Sequence, residues 1–126
     1  MQSPPCSRLS LDLVVLTKNN PDELDFTLSS IPIPPSWLFL RVLVVDGGAP
    51  RPLPESLSEK FSITNFTLFY INSSLAGVNG IYPSMNLALR YVKSDWFLFL
   101  NSGDRFSSSF DFSTIREFFC IAGLGV

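Results

Sequence analysis

Small polar and acidic residues directly follow three of the apolar runs in this sequence. They are Thr17-Lys18-Asn19, Asp46-Gly47-Gly48 and Asn101-Ser102-Gly103-Asp104. Carboxylate and amide oxygens beside glycine suit a hydroxyl-rich ligand together with a hard divalent cation, Mg²⁺ or Mn²⁺. The same residue types also dominate ordinary turns, so spacing alone leaves a binding site and a set of turns both open.

The composition excludes several kinds of chemistry. Histidine is absent from the 126 residues, which removes Ser-His-Asp triads, Cys-His dyads and His-ligated zinc. The net charge is −2 and no basic run occurs, which argues against nucleic acid or an anionic membrane as the main partner. Neither a P-loop nor a GxGxxG fingerprint follows the first apolar run.

The cysteine count and the apolar runs indicate a cytoplasmic protein without a membrane span. Cys6 and Cys120 make neither a disulfide framework nor a CxxC metal site, so we expect reduced thiols. The longest apolar runs are far shorter than the roughly 20 residues that span a bilayer.

The polar residues need a scaffold, and four apolar runs predict buried strands: Leu11–Leu16, Leu38–Val45, Phe66–Ile71 and Trp96–Leu100. A helix pattern follows each of them: the first has Asn20 as its cap and Pro21 as its first residue, and the others begin at Pro54, after Asn79-Gly80 and at Ser113. The third helix should run to about Lys93, with Met85, Ala88, Leu89 and Val92 on its buried face. This alternation predicts an α/β fold with a mostly parallel sheet between helices.

Three segments resemble the N-terminal half of a family 2 glycosyltransferase of the GT-A type. They are LVVLTKNNPDELDFTLSSI, VLVVDGG and GIYPSMNLALRYVKSDWFLFLNSGDRF, which together run from about Leu11 to Phe106. The resemblance implies one GT-A domain over residues 1–126, incomplete at its C-terminus, with residues 1–10 flexible. Such a halved sheet should leave one edge and one face uncovered, which favours homo-oligomers or aggregation.

The resemblance also implies roles for individual residues near the nucleoside. Thr17 and Asn19 match the end of the first strand, near the nucleotide base. Asp46, followed by Gly47, matches the carboxylate that contacts base or ribose, and Asn86 matches an asparagine near the sugar diphosphate.

The metal region of the family matches Asn101 to Asp104. Asn101, Ser102 and Gly103 precede Asp104, the one carboxylate left to hold the cation, because Asn101 and Gly103 occupy the two acidic places of the family's DxD motif. Pro83 and Ala49 also depart from the family pattern, at an Asp and a Ser respectively.

The implied function is a donor domain for a UDP- or GDP-linked nucleotide-sugar with Mg²⁺ or Mn²⁺. It would support inverting transfer to a hydroxyl of a glycan or lipid-linked acceptor in polysaccharide biosynthesis. The general base is not identified in this chain. The alternatives are a non-catalytic nucleotide-sugar-binding or interaction module completed by another chain, and a structural remnant that binds nothing.

Overall fold

Strands and helices alternate over residues 9–48, 55–114 and 116–117, which the computed structural model describes. In chain order they are β1 (Leu9–Thr17), α1 (Pro21–Ser30), β2 (Leu38–Asp46), α2 (Glu55–Lys60), β3 (Phe66–Asn72), α3 (Ile81–Leu89) and β4 (Trp96–Asn101). Among the described residues, no helix is long and apolar enough to cross a membrane.

The strands form one parallel sheet in the order β3-β2-β1-β4. The chain therefore advances from β1 to β2 and β3, then returns to place β4 on the other side of β1. The register aligns Thr17 with Asp46, Asp46 with Asn72, and Leu16 with Asn101. The carboxyl ends of all four strands thus meet at one edge, and the predicted α/β class is confirmed.

Helices cover both faces of the sheet because residues of β1 and β2 alternate between two apolar layers. On one face Leu13, Val15, Val42 and Val44 pack with residues of α1 and α2. On the other face Val14, Leu16, Leu43 and Val45 pack with Leu87 and Ala88 of α3.

Helix α1 begins and ends where the sequence predicts. The Asn20 side chain accepts a hydrogen bond from the Glu23 backbone N–H at 3.2 Å, and Pro21 occupies the first turn. Leu24 and Leu28 are fully buried, and the helix stops at Ile31 before Pro32.

Helix α3 ends at Leu89, so the prediction that it runs to Lys93 is wrong. The backbone N–H groups of Lys93 and Ser94 donate to the Asp12 carboxylate instead of to helix carbonyls. The buried face also differs: Leu87 is buried, whereas Leu89 is 43% exposed.

Strand β4 is not buried on both faces as its apolar run predicts. It lies at an edge of the described sheet, and Phe97 and Leu98 are 45% and 41% exposed. An edge strand has one neighbour rather than two, which leaves its side chains less covered.

The two ends of the chain are described only in part. Leu9 and Ser10, within the segment expected to be flexible, belong to β1, and residues 1–8 lie outside the described residues. Residues 112–114 and 116–117 are helical near the predicted start at Ser113, while residues 115 and 118–126 lie outside. Ala49, Cys6 and Cys120 also lie outside.

Candidate functional site

A crevice of about 540 Å³ opens at the carboxyl edge of the sheet. It is lined by residues from the ends of β1 and β4, the turns after β2 and β3, and the start of α3: Leu16, Thr17, Lys18, Gly47, Ser73, Asn79, Gly80, Ile81, Ser84, Asn101 and Ser102. The strand order reverses between β1 and β4, and this reversal point is where open α/β sheets bind ligands.

Thr17 brings a hydroxyl without a partner to the crevice wall. Its Oγ1 is inaccessible to solvent and has no hydrogen-bond partner among the described residues. Leaving a buried hydroxyl unpaired costs about 1–3 kcal/mol, and a ligand would offset that cost only if the crevice wall moved to expose this atom. The Thr17 carbonyl is already used, since it accepts from Gly47 N–H at 2.9 Å.

Asp46 faces into the protein and organises the turn after β2. It is 4% exposed, and its Oδ1 accepts from Gly48 N–H at 2.8 Å while its Oδ2 accepts from the Tyr70 hydroxyl. The carboxylate is therefore occupied by protein donors and is not among the crevice-lining groups. Asp46 can position a ligand-binding turn from this location without touching the ligand.

Asn19 packs against the same turn. Its backbone is left-handed, with φ of 53°. A Cβ on Gly48 would collide with Asn19 Oδ1 and lie 2.8 Å from Asn19 backbone N. Only glycine fits at position 48 without moving one of the two turns.

The last residue of β3 and the two residues after it hold the turn from the other side. Asn72 Nδ2 donates to the Gly48 carbonyl at 2.7 Å, and the Ser74 hydroxyl donates to the Gly47 carbonyl at 2.5 Å. Ser73 is buried, lines the crevice and donates its N–H to the Asp46 carbonyl at 3.0 Å. The sequence analysis did not identify Ser73 as a site residue, and the one signal for it is its place after a predicted strand.

The first turn of α3 lies at the crevice. Gly80 caps the helix with φ of 100° and no side-chain hydrogen bond, and Pro83 has no N–H to donate. The N–H groups at the start of a helix have no partner within it, and they favour anionic ligands. Gly80, Ile81 and Ser84 all line the crevice, and the sequence predicted none of them as site residues.

The turn after β4 places two residues with oxygen-bearing side chains at the crevice and one carboxylate outside the crevice lining. Asn101 and Ser102 line the crevice, while the exposed Asp104 accepts the Asn101 N–H at 3.1 Å through Oδ2. Glu23 lies close by, because a Cβ on Gly103 would stand 3.4 Å from its Oε2. The turn is fixed to α1 by Gly103 N–H, which donates to Thr27 Oγ1 at 2.8 Å.

The predicted site residues therefore separate into three groups. Four lie in the crevice wall: Thr17, Gly47, Asn101 and Ser102. Three lie behind or beside the wall: Asn19, Asp46 and Asp104. Asn86 is exposed on α3, outside the lining. In the described part of the chain, no group of three His, Cys, Asp or Glu side chains could hold a metal. Hard oxygen donors suit Mg²⁺ or Mn²⁺, but a cation here would need further oxygens from its ligand.

Comparison with known proteins gives a structural match without a sequence match. No protein-family model and no curated protein sequence matches the chain. A solved structure does: the mannosyltransferase PcManGT from Pyrobaculum calidifontis in complex with GDP-Man and Mn²⁺ superposes with a TM-score of 0.62 at 15% identity. The match covers 94% of this chain and 34% of the mannosyltransferase, so this chain spans about a third of that protein's length. The likeness shows a glycosyltransferase-like fold.

Proposed function

We propose that this chain binds the nucleotide-sugar donor of a family 2, inverting glycosyltransferase. The crevice at the strand-order reversal carries the proposal, because it joins the polar ends of β1 and β4 to the N-terminus of α3. The fold match to a mannosyltransferase complexed with GDP-Man and Mn²⁺ supports the same donor class. The transfer would serve glycan or polysaccharide synthesis in the cytoplasm, with a glycan or lipid-linked acceptor.

The nucleoside would lie against the ends of β1 and β2. Thr17 and Ser73 line the crevice there, and Gly47 lets the ligand approach the backbone. Asp46 would act by holding this turn through Gly48 and Tyr70 rather than by contacting the base. Asn19 would act in the same indirect way, by packing on Gly48.

The diphosphate would lie between the start of α3 and the end of β4. The Ile81 and Tyr82 N–H groups, in the first turn of the helix, would donate to the phosphate oxygens, and Asn86 follows on the same helix. Asp104 and the Asn101 amide would hold Mg²⁺ or Mn²⁺ together with phosphate oxygens and water. A bound cation supplies neutralisation of the charge that develops on the departing diphosphate.

Inverting transfer also needs a general base within reach of the acceptor hydroxyl. No described residue takes that role in our proposal, so transfer would require groups beyond those in the crevice. The second candidate is accordingly a donor-binding or interaction module completed by another chain. Donor hydrolysis or transfer by the isolated chain would decide for the enzyme, and binding without turnover would favour the module.

Calorimetric titration with UDP and with GDP, each with and without Mn²⁺, tests donor binding directly. We expect binding of at least one nucleotide, strengthened by Mn²⁺. No binding at millimolar nucleotide by protein with native circular dichroism would refute a donor site.

The metal role is tested by Asp104→Asn beside Asp111→Asn, a matched change at another exposed carboxylate. We expect Asp104→Asn to abolish the Mn²⁺-dependent gain in affinity while Asp111→Asn retains it. Equal Mn²⁺ dependence in both variants would remove Asp104 from the metal site.

A further inference from the structure

The turn after β4 closes on itself through two hydrogen bonds between its first and last residues. Asn101 N–H donates to Asp104 Oδ2 at 3.1 Å, and Asp104 N–H donates to the Asn101 carbonyl, also at 3.1 Å. Gly103, the third residue, has a φ of 98°, which a turn of this kind requires of its third residue and which glycine adopts without strain. Both terminal N–H groups of the turn are therefore used within the turn itself.

The two inner N–H groups of the turn are used by neighbouring elements. Ser102 N–H donates to the Leu16 carbonyl of β1 at 2.9 Å, and Gly103 N–H donates to Thr27 Oγ1 of α1 at 2.8 Å. Every backbone N–H of the turn thus has an acceptor within the protein. The turn is held from β1 on one side and from α1 on the other.

This use of donors decides what the turn offers to a ligand. Asn101 and Ser102 line the crevice with oxygen-bearing side chains, and the exposed Asp104 carboxylate lies beside them. Oxygen acceptors suit a hard cation, whereas free backbone N–H groups suit an anion. The first turn of α3, whose N–H groups have no partner within the helix, has the opposite character. The crevice therefore has acceptors on the β4 side and donors on the α3 side.

Thr27 is the one side chain from outside the turn among the four acceptors. It is fully buried in α1, and its residue is not part of the crevice lining. Helix α1 packs on the face of the sheet opposite to α3. The Thr27 hydroxyl therefore directs the Gly103 N–H toward α1 rather than toward the α3 side of the crevice.

We propose that Thr27 is a positioning residue for the cation site at the end of β4. Its hydroxyl holds the Gly103 N–H away from the crevice, so that the turn presents oxygen atoms alone to the cation. The inference rests on the proposed function, because the cation is the one that Asp104 and Asn101 would hold beside the diphosphate. Without the hydroxyl, Gly103 N–H is an unpaired donor next to Asp104, and it can compete with the cation for oxygen ligands.

Calorimetric titration with UDP and with GDP, each with and without Mn²⁺, tests this role in Thr27→Val and Thr27→Ser. Valine keeps the shape of threonine but cannot accept a hydrogen bond, whereas serine keeps the hydroxyl. We expect Thr27→Val to reduce the Mn²⁺-dependent gain in nucleotide affinity about three- to tenfold, and its metal-free affinity to stay within about twofold of the parent. Thr27→Ser should keep the Mn²⁺-dependent gain.

Ser30→Ala is the control for a general loosening of this segment from α1. Ser30 Oγ accepts the Phe106 N–H at 3.0 Å, so the variant frees a nearby backbone group while Gly103 N–H stays paired with Thr27. We expect Ser30→Ala to lower stability in urea and to keep the Mn²⁺-dependent gain. An equal loss of that gain in Ser30→Ala and Thr27→Val would overturn the specific role of Thr27.

Amide hydrogen exchange, followed by NMR, tests the contact itself without nucleotide or metal. The Gly103 amide should be protected in the parent and in Thr27→Ser, and should exchange about three- to tenfold faster in Thr27→Val. An unprotected Gly103 amide in the parent would overturn the proposal, whether or not Thr27→Val folds.

The titrations separate a failure of this proposal from a failure of the proposed function. If Mn²⁺ strengthens nucleotide binding equally in the parent and in folded Thr27→Val, Thr27 does not position the cation site, and the donor site stands. If Mn²⁺ does not strengthen nucleotide binding by the parent, the cation site and the role of Thr27 are both overturned.

Discussion

Asp12 of β1 and Arg41 of β2 are direct neighbours in the sheet register and form a two-pronged ion pair. Arg41 Nε and Nη2 donate to the two Asp12 oxygens at 3.0 and 2.9 Å. Asp12 is fully buried and also accepts from Lys93 N–H, Ser94 N–H and the Ser94 hydroxyl, while Arg41 Nη2 reaches the Tyr91 carbonyl at 2.5 Å. One carboxylate therefore fixes the segment between α3 and β4 against the centre of the sheet, and so fixes the strand that ends at the crevice.

Asp12→Ala should destabilise the protein by about 3–5 kcal/mol, because it leaves the donors of Arg41 and of the α3–β4 segment without their shared acceptor. The measurement is the free energy of unfolding from urea denaturation. Glu59→Gln, an exposed change on α2, should stay within about 0.5 kcal/mol of the parent. Comparable stability of Asp12→Ala and Glu59→Gln would show that the ion pair does not hold the sheet.

The same carboxylate should make stability depend on pH at the acid end. Burial of Asp12 favours the neutral acid, but the hydrogen bonds from Arg41, Ser94 and the Lys93 and Ser94 N–H groups outweigh it, so the pKa of Asp12 lies below its usual value. A lowered folded-state pKa contributes stability above the unfolded-state pKa, about 3.9, which is lost as the pH falls through the folded-state value.

At pH values below about 4, we therefore expect the urea midpoint of the parent to decrease more steeply with falling pH than that of Asp12→Asn, whose side chain does not titrate. Parallel pH profiles for the two proteins would contradict the assignment to Asp12.

The sheet was predictable because its strands are continuous apolar runs bounded by polar turns. The start of α1 was predictable because Asn20 and Pro21 act locally, within one helical turn. The end of α3 was not, since it is set by Asp12, about eighty residues away in sequence. The exposure of β4 depends on which strand occupies the sheet edge, and no local pattern encodes strand order.

The sequence allowed the position of the candidate site in the sheet to be predicted, but not the contacts that its individual residues make. Residues following strands converge in any parallel sheet, and Thr17, Gly47, Asn101 and Ser102 do so here. The orientation of Asp46 depends on Tyr70 and Gly48, which the sequence does not place beside it. The start of α3 lines the crevice, and the backbone N–H groups proposed to bind the diphosphate there leave no mark in the side-chain sequence.

Gly48→Ala should weaken both folding and nucleotide binding. Its Cβ would collide with Asn19 Oδ1 and crowd the Asn19 backbone, so the turn after β1 or the turn after β2 must move. We expect a loss of about 1–3 kcal/mol in stability, measured by urea denaturation. Asn19→Gly removes the Oδ1 collision and suits the left-handed backbone at that position, so the double variant should recover part of the loss. No recovery in the double variant would place the strain elsewhere.

Thr17→Val should stabilise the protein while weakening nucleotide binding. The change keeps the side-chain shape and removes a buried hydroxyl that has no partner among the described residues, which should raise the free energy of unfolding by about 1 kcal/mol. Losing one ligand hydrogen bond should weaken nucleotide affinity about three- to tenfold. Thr17→Ser keeps the hydroxyl and is the matched control, with affinity expected within about twofold of the parent. Urea denaturation and calorimetric titration of the same three proteins give both numbers. A Thr17→Val variant that is less stable than the parent, or that binds nucleotide equally well, would show that the Thr17 hydroxyl does not bind the ligand.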